Sequence, residues 1–148
     1  MIQYRPMEEK DLEQVMDLEN RCFSQAWSKA AMLRELRENS EMAHYMVAES
    51  EGRIVAYGGY WQIFDEAHIT NIAVAPDYRR RGIGGELIRQ MESQYPSKGI
   101  LYATLEVRSG NVAARKLYET CGFTEAGVRP GFYEKPREDA VIMWKKFE

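Results

Sequence analysis

The chain has 148 residues, of which 45% are hydrophobic and 29% charged, and its formal net charge is -3. That is enough chain for one domain with a substantial core, and residues 1–148 are read as a single domain. The acidic balance argues against direct nucleic-acid binding, which normally rests on a strong basic excess.

No apolar run approaches the roughly 18 residues of a membrane span. The opening MIQYRPMEEKDL has nothing like the apolar core of a secretory signal, so a cytoplasmic protein without membrane association is expected. Cys22 and Cys121 make no CxxC pair, and His44 and His68 lack metal-ligand spacing. Two reduced, buried thiols are expected, with neither a disulfide framework nor a bound metal.

In chain order, Ile2 and Tyr4 alternate in a short strand that Pro6 stops. Leu12, Val15, Met16 and residues 19–22 then follow helical spacing. Ser28 is placed to cap a second helix with Met32, Leu33 and Leu36 on one face. AHYMVAES and RIVAYGGYWQI read as strands joined at Glu51 and Gly52, and HITNIAVA as a third strand ended by Pro76. Ile83, Leu87, Ile88, Met91 and Tyr95 stripe one helix, which Pro96 terminates. In LYATLEVR, Leu101, Ala103, Leu105 and Val107 face one way, and Tyr102, Thr104, Glu106 and Arg108 the other. Ala114, Leu117, Tyr118 and Cys121 share a helical face that Gly122 is placed to end. FTEAGV and DAVIMWKKF are the closing strands. This order predicts an α/β (α+β) fold, a mixed central sheet of about seven strands flanked by about four helices.

The stretch YRRRGIGGELI, residues 78–88, runs three arginines into glycines at a helix start. A Walker phosphate loop needs G-x-x-x-x-G-K-S/T, and no such lysine follows. A dinucleotide fingerprint needs a third glycine where Leu87 stands. What remains is a strand, a turn with proline, and glycines that let backbone N–H groups approach an anion at a helix N-terminus. Arginine side chains add charge-assisted bonds to phosphate. The physics points to pyrophosphate, or else to a solvated arginine turn whose glycines serve packing.

NIAVAPDYRRRGIGGELI resembles the Q/R-x-x-G-x-G/A loop, with its preceding strand, of the Gcn5-related N-acetyltransferases (GNAT). AWS, DEAHITNIAV, LEVRSGNVAARKLYETCGF and REDAVIMW extend the resemblance from near residue 22 to residue 144, most closely to the RimI-type branch. Enzymes of that branch acetylate the N-terminal alanine of ribosomal protein S-18. The resemblance implies a GNAT fold and acetyl-CoA as cosubstrate, its pyrophosphate cradled by Arg80, Arg81, Gly82, Ile83, Gly84 and Gly85. It also implies that the backbone of Ile72, Ala73 and Val74 pairs with the pantetheine arm, and that an N–H near Val74 polarises the thioester carbonyl.

Acetyl transfer to an amine needs a proton acceptor and a proton for the departing thiolate. An N-terminal amine, with a pKa of about 7.7–8.0, asks little of a base at neutral pH. Glu106, in LEVR, can take that proton directly or through water, and the resemblance places the family's proton acceptor there. Tyr118 stays protonated at neutral pH and matches the family's general acid, although its helical position also suits core packing. Asn111 is a good N-cap for the same helix and, by resemblance, a coenzyme contact. His68 is set aside as structural because no acidic partner is evident, and neither cysteine is taken as a nucleophile.

The expected protein is a monomeric N-α-acetyltransferase working by direct transfer on a protein N-terminus, that of a ribosomal protein. Two alternatives stand beside it: an acetyltransferase for other N-termini or for lysine, and a non-catalytic acyl-CoA sensor or partner domain. Two departures from the family pattern bear on the acceptor. Ala26 precedes Trp27-Ser28 where proline is frequent, and Gly131-Phe132-Tyr133 stands in a late loop where Asn-Tyr-Tyr is frequent.

Overall fold

The structure, a computed structural model, describes residues 1–23, 26–39, 41–134 and 136–147, with the backbone alone of Asn71. Its strands are β1 (Gln3–Pro6), β2 (Ala43–Ser50), β3 (Arg53–Ile63), β4 (Glu66–Val74), β5 (Tyr102–Arg108), β6 (Thr124–Tyr133) and β7 (Glu138–Lys146). Its α-helices are α1 (Leu12–Cys22), α2 (Lys29–Arg37), α3 (Ile83–Glu92), α4 (Tyr95–Lys98) and α5 (Val112–Thr120). The strands form one seven-stranded sheet in the order β1-β2-β3-β4-β5-β7-β6. The expected mixed sheet is therefore present: β4 and β5 run parallel and every other neighbouring pair antiparallel.

Both faces of the sheet are covered: Tyr45–Ala48 of β2 and Ile54–Tyr60 of β3 are buried without a break, although successive side chains point to opposite faces. On one face Ile83, Leu87, Ile88 and Met91 of α3 pack with Ala48, Val55, Ala56 and Tyr60, and with Phe123 and Tyr118. On the other, Leu12, Val15 and Leu18 of α1 and Met32 of α2 pack with Val47, Tyr57 and Ala73. The α2 cap is as expected, with Ser28 Oγ accepting from the Ala31 N–H at 3.1 Å.

Four local expectations are corrected. Pro96 does not end the long helix but opens a further turn. α3 stops at Glu92 because Pro96 has no N–H for the Glu92 carbonyl, and proline suits the first turn of α4, which Gly99 closes at φ 71°. Leu101 lies outside β5 and is 45% exposed, its N–H donating to Asp65 O at 2.7 Å, while Ala103, Leu105 and Val107 are buried. Gly131-Phe132-Tyr133 belongs to β6 rather than to a loop. Cys22 and Cys121 are free thiols but half-buried, because each lies at or just past a helix end.

Two irregularities in the centre of the sheet shape everything that follows. β4 pairs with β5 only through Glu66–His68 against Tyr102–Thr104, after which the two strands part. Opposite β3, Ile69 pairs with Tyr60 and Asn71 with Gly59, leaving Thr70 as an extra residue on β4. Its hydroxyl donates to Gly59 O at 3.3 Å. Such a bulge bends its strand and raises local twist, turning the second half of β4 away from β5.

The core is tight at α3, where Leu87 is 0% exposed. Leu87→Ala is expected to cost about 2–5 kcal/mol. Urea denaturation should show this as a lower midpoint at unchanged slope.

Candidate active site

The loop that follows β4 enters α3 through two left-handed residues, Arg80 at φ 65° and Gly82 at φ 77°. For Arg80 this conformation is strained; for Gly82 it is not. Among the described residues no backbone N–H from Arg80 to Gly85 has a protein acceptor, and the Glu86 N–H is the first to bond back, to Gly82 O at 3.0 Å. A run of free amides at a helix N-terminus can seat an anion. The glycines divide the work: Gly82 is exposed and supplies the turn, whereas Gly84 and Gly85 are buried. A β-carbon at Gly84 would lie 3.1 Å from Leu117 Cδ2 and 3.7 Å from Val74 Cγ2. Arg81 stacks over the Tyr78 ring at 4.7 Å, and Arg80 is exposed beside it.

The parted strands open a cleft of about 640 Å³ whose lining includes Ile72, Glu106, Asn111 and Tyr118. Asn111 caps α5, accepting from the Ala114 N–H at 3.1 Å. Tyr118, 8% exposed, packs edge-on to Phe123 at 6.0 Å. Burial, with the nearby Tyr133 and Cys121, pushes its phenol well above the ordinary tyrosine range, so it remains a proton donor at neutral pH. Core packing and a place in the cleft are thus both realised in one side chain.

His68, set aside in the sequence, has its acidic partner after all. Its Nε2 lies 2.6 Å from Glu106 Oε2. The partner is far along the chain, brought close by the parallel register that sets His68 opposite Thr104, two residues before Glu106. A histidine and a glutamate on the polar sides of two strands joined by a helical crossover was the available signal. The hydrogen bond to His68 holds the Glu106 carboxyl below its ordinary range, against the opposing effect of burial, with Arg129 helping at 3.9 Å. The same bond raises the His68 imidazolium above its usual value.

A second carboxylate also escaped sequence reading. Glu19 is 1% exposed and borders the same cleft. It accepts a hydrogen bond from the Tyr57 hydroxyl and, at 2.9 Å, from the Trp27 N–H. Trp27, Phe132 and Tyr133, from the two segments that depart from the family pattern, line the cleft as well. Among the described residues no group of three or more His, Cys, Asp or Glu side chains could hold a metal ion, and no helix is long and apolar enough to cross a membrane.

A sheet split beside a bulge, a helix start with unbonded amides after β4, and a carboxylate and a buried phenol lining one cleft are parts that an acyl-transfer scaffold can use. The sequence profile of the acetyltransferase (GNAT) family matches residues 12–123, and the chain belongs to that family. It is an acetyl-CoA-dependent N-acetyltransferase. The ribosomal protein bS18-alanine N-acetyltransferase of Escherichia coli (strain K12) is 33% identical over 139 residues, 93% of this chain and 92% of that protein. A Bacillus subtilis (strain 168) protein, whose own assignment to that activity is provisional, is 38% identical over 140 residues, 95% of this chain and 92% of its own length. The crystal structure of the Escherichia coli ribosomal-protein-S18-alanine N-acetyltransferase superposes with a TM-score of 0.90 at 32% identity, covering 100% of this chain and 95% of that one. Ard1 from Thermoplasma volcanium gives 0.91 at 27% identity, covering 99% and 98%.

The ion pair makes stability depend on pH in a defined direction. His68, raised on folding, stabilises below its unfolded value of 6.5 and ceases to do so as pH rises through its folded value. Glu106, lowered on folding, stabilises above 4.5 and ceases to do so as pH falls through its folded value. The melting-temperature difference between the native protein and His68→Asn should therefore be widest at about pH 5–6 and narrow toward about pH 9. A difference that stays constant across calorimetric scans over that range would remove the ion pair as its source.

Proposed function

We propose that the protein transfers acetyl from acetyl-CoA to the N-terminal alanine of ribosomal protein bS18, by direct transfer with Glu106 as proton acceptor and Tyr118 as proton donor. The observation that carries this reading is the split between β4 and β5, which sets a carboxylate and a buried phenol in one cleft. The names of the relatives at 38% and 33% identity support the acceptor.

Acetyl-CoA supplies an activated thioester when bound. The second half of β4, Ile72–Val74, pairs with β3 but not with β5, so its β5-facing edge can offer backbone groups to an extended arm, and the free amides from Arg80 to Gly85 suit its pyrophosphate. Arg80 and Arg81 add positive charge there, and Asn111 lies at the start of α5 on the cleft wall. The acceptor nitrogen attacks the thioester carbonyl carbon as its proton passes to Glu106, directly or through one water. The carbon–sulfur bond breaks, and Tyr118 gives its proton to the sulfur and regains one from solvent. Glu106 then releases its proton to solvent, so that both side chains return to their starting states, and no covalent enzyme intermediate is needed.

The acceptor is tested with a peptide that begins with alanine and carries an internal lysine. Mass spectrometry is expected to find acetyl at the α-amine; acetyl chiefly on lysine would favour a lysine acetyltransferase instead.

The proton path has its own test. Glu106→Gln and Tyr118→Phe should each lower turnover by about 100-fold or more, with little change in coenzyme A affinity by calorimetry. The Glu106→Gln defect should shrink as pH rises toward the amine's pKa of about 8, because more acceptor is then already neutral. The Tyr118→Phe defect should not shrink, since it lies with the departing sulfur. Native turnover in both variants would mark the two residues as structural.

A further inference from the structure

We propose that Arg108 is the positioning residue of the acceptor side of the cleft: it holds the wall formed by Phe132 and Tyr133 at a fixed place relative to Glu106. The inference rests on the acceptor entering this cleft, and it assigns a role to a side chain outside the proton path.

The wall is held only in part by its own strand pairing. Arg129 pairs with Ala140 and Tyr133 with Glu138, so residues 130–132 face a single residue, Asp139. Pro130 has no N–H to give. Gly131 turns through φ 62° and sends its N–H to the Asp139 side chain at 2.8 Å instead of to a backbone carbonyl. The ladder is interrupted where the chain presents two aromatic rings to the cleft.

Arg108 supplies what the ladder lacks. One guanidinium nitrogen donates to Pro136 O at 2.9 Å and the other to Glu134 O at 3.1 Å. The guanidinium also lies over the Tyr133 ring, 4.4 Å from its centre. It is held in turn by Glu138, whose Oε1 is 3.3 Å away and whose Oε2 accepts from the Gly110 N–H at 2.6 Å. The side chain is 24% exposed and its bond to Glu138 is partly buried, while the two carbonyls that it meets lie at the surface. A planar fork with five donors can meet two carbonyls, a carboxylate and a ring face at once; an ammonium cannot.

The location on the strand gives this clamp its purpose. Arg108 follows Glu106 by two residues on the same face of β5, and residues so spaced are about 6.6 Å apart along a strand. One short segment thereby sets both the proposed base and the wall against which the acceptor rests. Displacing the wall changes how an acceptor is seated while leaving the carboxylate, the phenol and the anion seat where they are.

Arg108→Lys keeps the charge and loses the fork. With an alanine-starting peptide as acceptor and acetyl-CoA saturating, its acceptor KM is expected to rise about ten-fold or more while kcat stays within about two-fold. Its coenzyme A affinity by calorimetry should be native. An unchanged acceptor KM overturns the proposal, and so does a parallel loss of acceptor and coenzyme A affinity, which would mark a general scaffold residue. Amide exchange at Gly131, followed by NMR without any substrate, judges the clamp separately from the enzymatic reading. Exchange about ten-fold faster in Arg108→Lys supports it; a native rate overturns it. If the native chain acetylates no peptide, the function proposed above fails, and the exchange measurement still decides whether Arg108 holds the wall.

Discussion

Everything in this molecule depends on a sheet that stops pairing in its middle. Three residues of β4 meet three of β5, and then the strands separate. Backbone polar groups that are neither paired nor solvated are costly, so a parting of this kind persists only where the flanking structure enforces it. The Thr70 bulge bends β4 on one side, while β5 stays fully engaged with β7 on the other. The opening is thus a product of two firmly held neighbours.

That geometry explains the electrostatics of the cleft. The last paired rung brings His68 beside Thr104, and the first separated turn of the strands sets its ring against Glu106. A carboxylate stabilised by an imidazole and a phenol kept neutral by burial occupy the same cavity. Two titratable groups driven in opposite directions are the arrangement from which acid and base roles can be divided. The hydrogen bond between His68 and Glu106 raises the imidazole as it lowers the carboxyl, so neither group titrates as it would alone.

Much of the fold was legible because period-two and period-3.6 patterns are local. The alternation of Ala103, Leu105 and Val107 and the stripe Ile83, Leu87, Ile88, Met91 needed no knowledge of neighbours. Pro96 misled because its missing N–H forbids a helix interior yet suits a first turn, and both readings are local too. The site was legible in part, and mostly through resemblance rather than through residue chemistry. His68 was passed over because its partner is set by strand register, which one stretch of sequence does not contain. Glu19 was passed over because a glutamate on an amphipathic helix normally faces water, and only the fold reveals that Tyr57 and the Trp27 amide keep it inside. The interruption in β6 was hidden for the same reason: a bulge is a relation between two strands.

The contact between Gly84 and Leu117 ties two parts of the protein that would otherwise vary independently. A β-carbon on one would crowd a methyl of the other where α3 meets α5. Leu117 immediately precedes Tyr118, so a β-carbon added at position 84, 3.1 Å from Leu117 Cδ2, would press on the helix that carries the phenol as well as on the helix that follows the arginine turn. Across lineages of this fold the two positions should change as a couple, a larger residue at one accompanied by a smaller one at the other. Sequence drift at the start of α3 is in this way answerable to the placement of the Tyr118 phenol, through steric crowding alone.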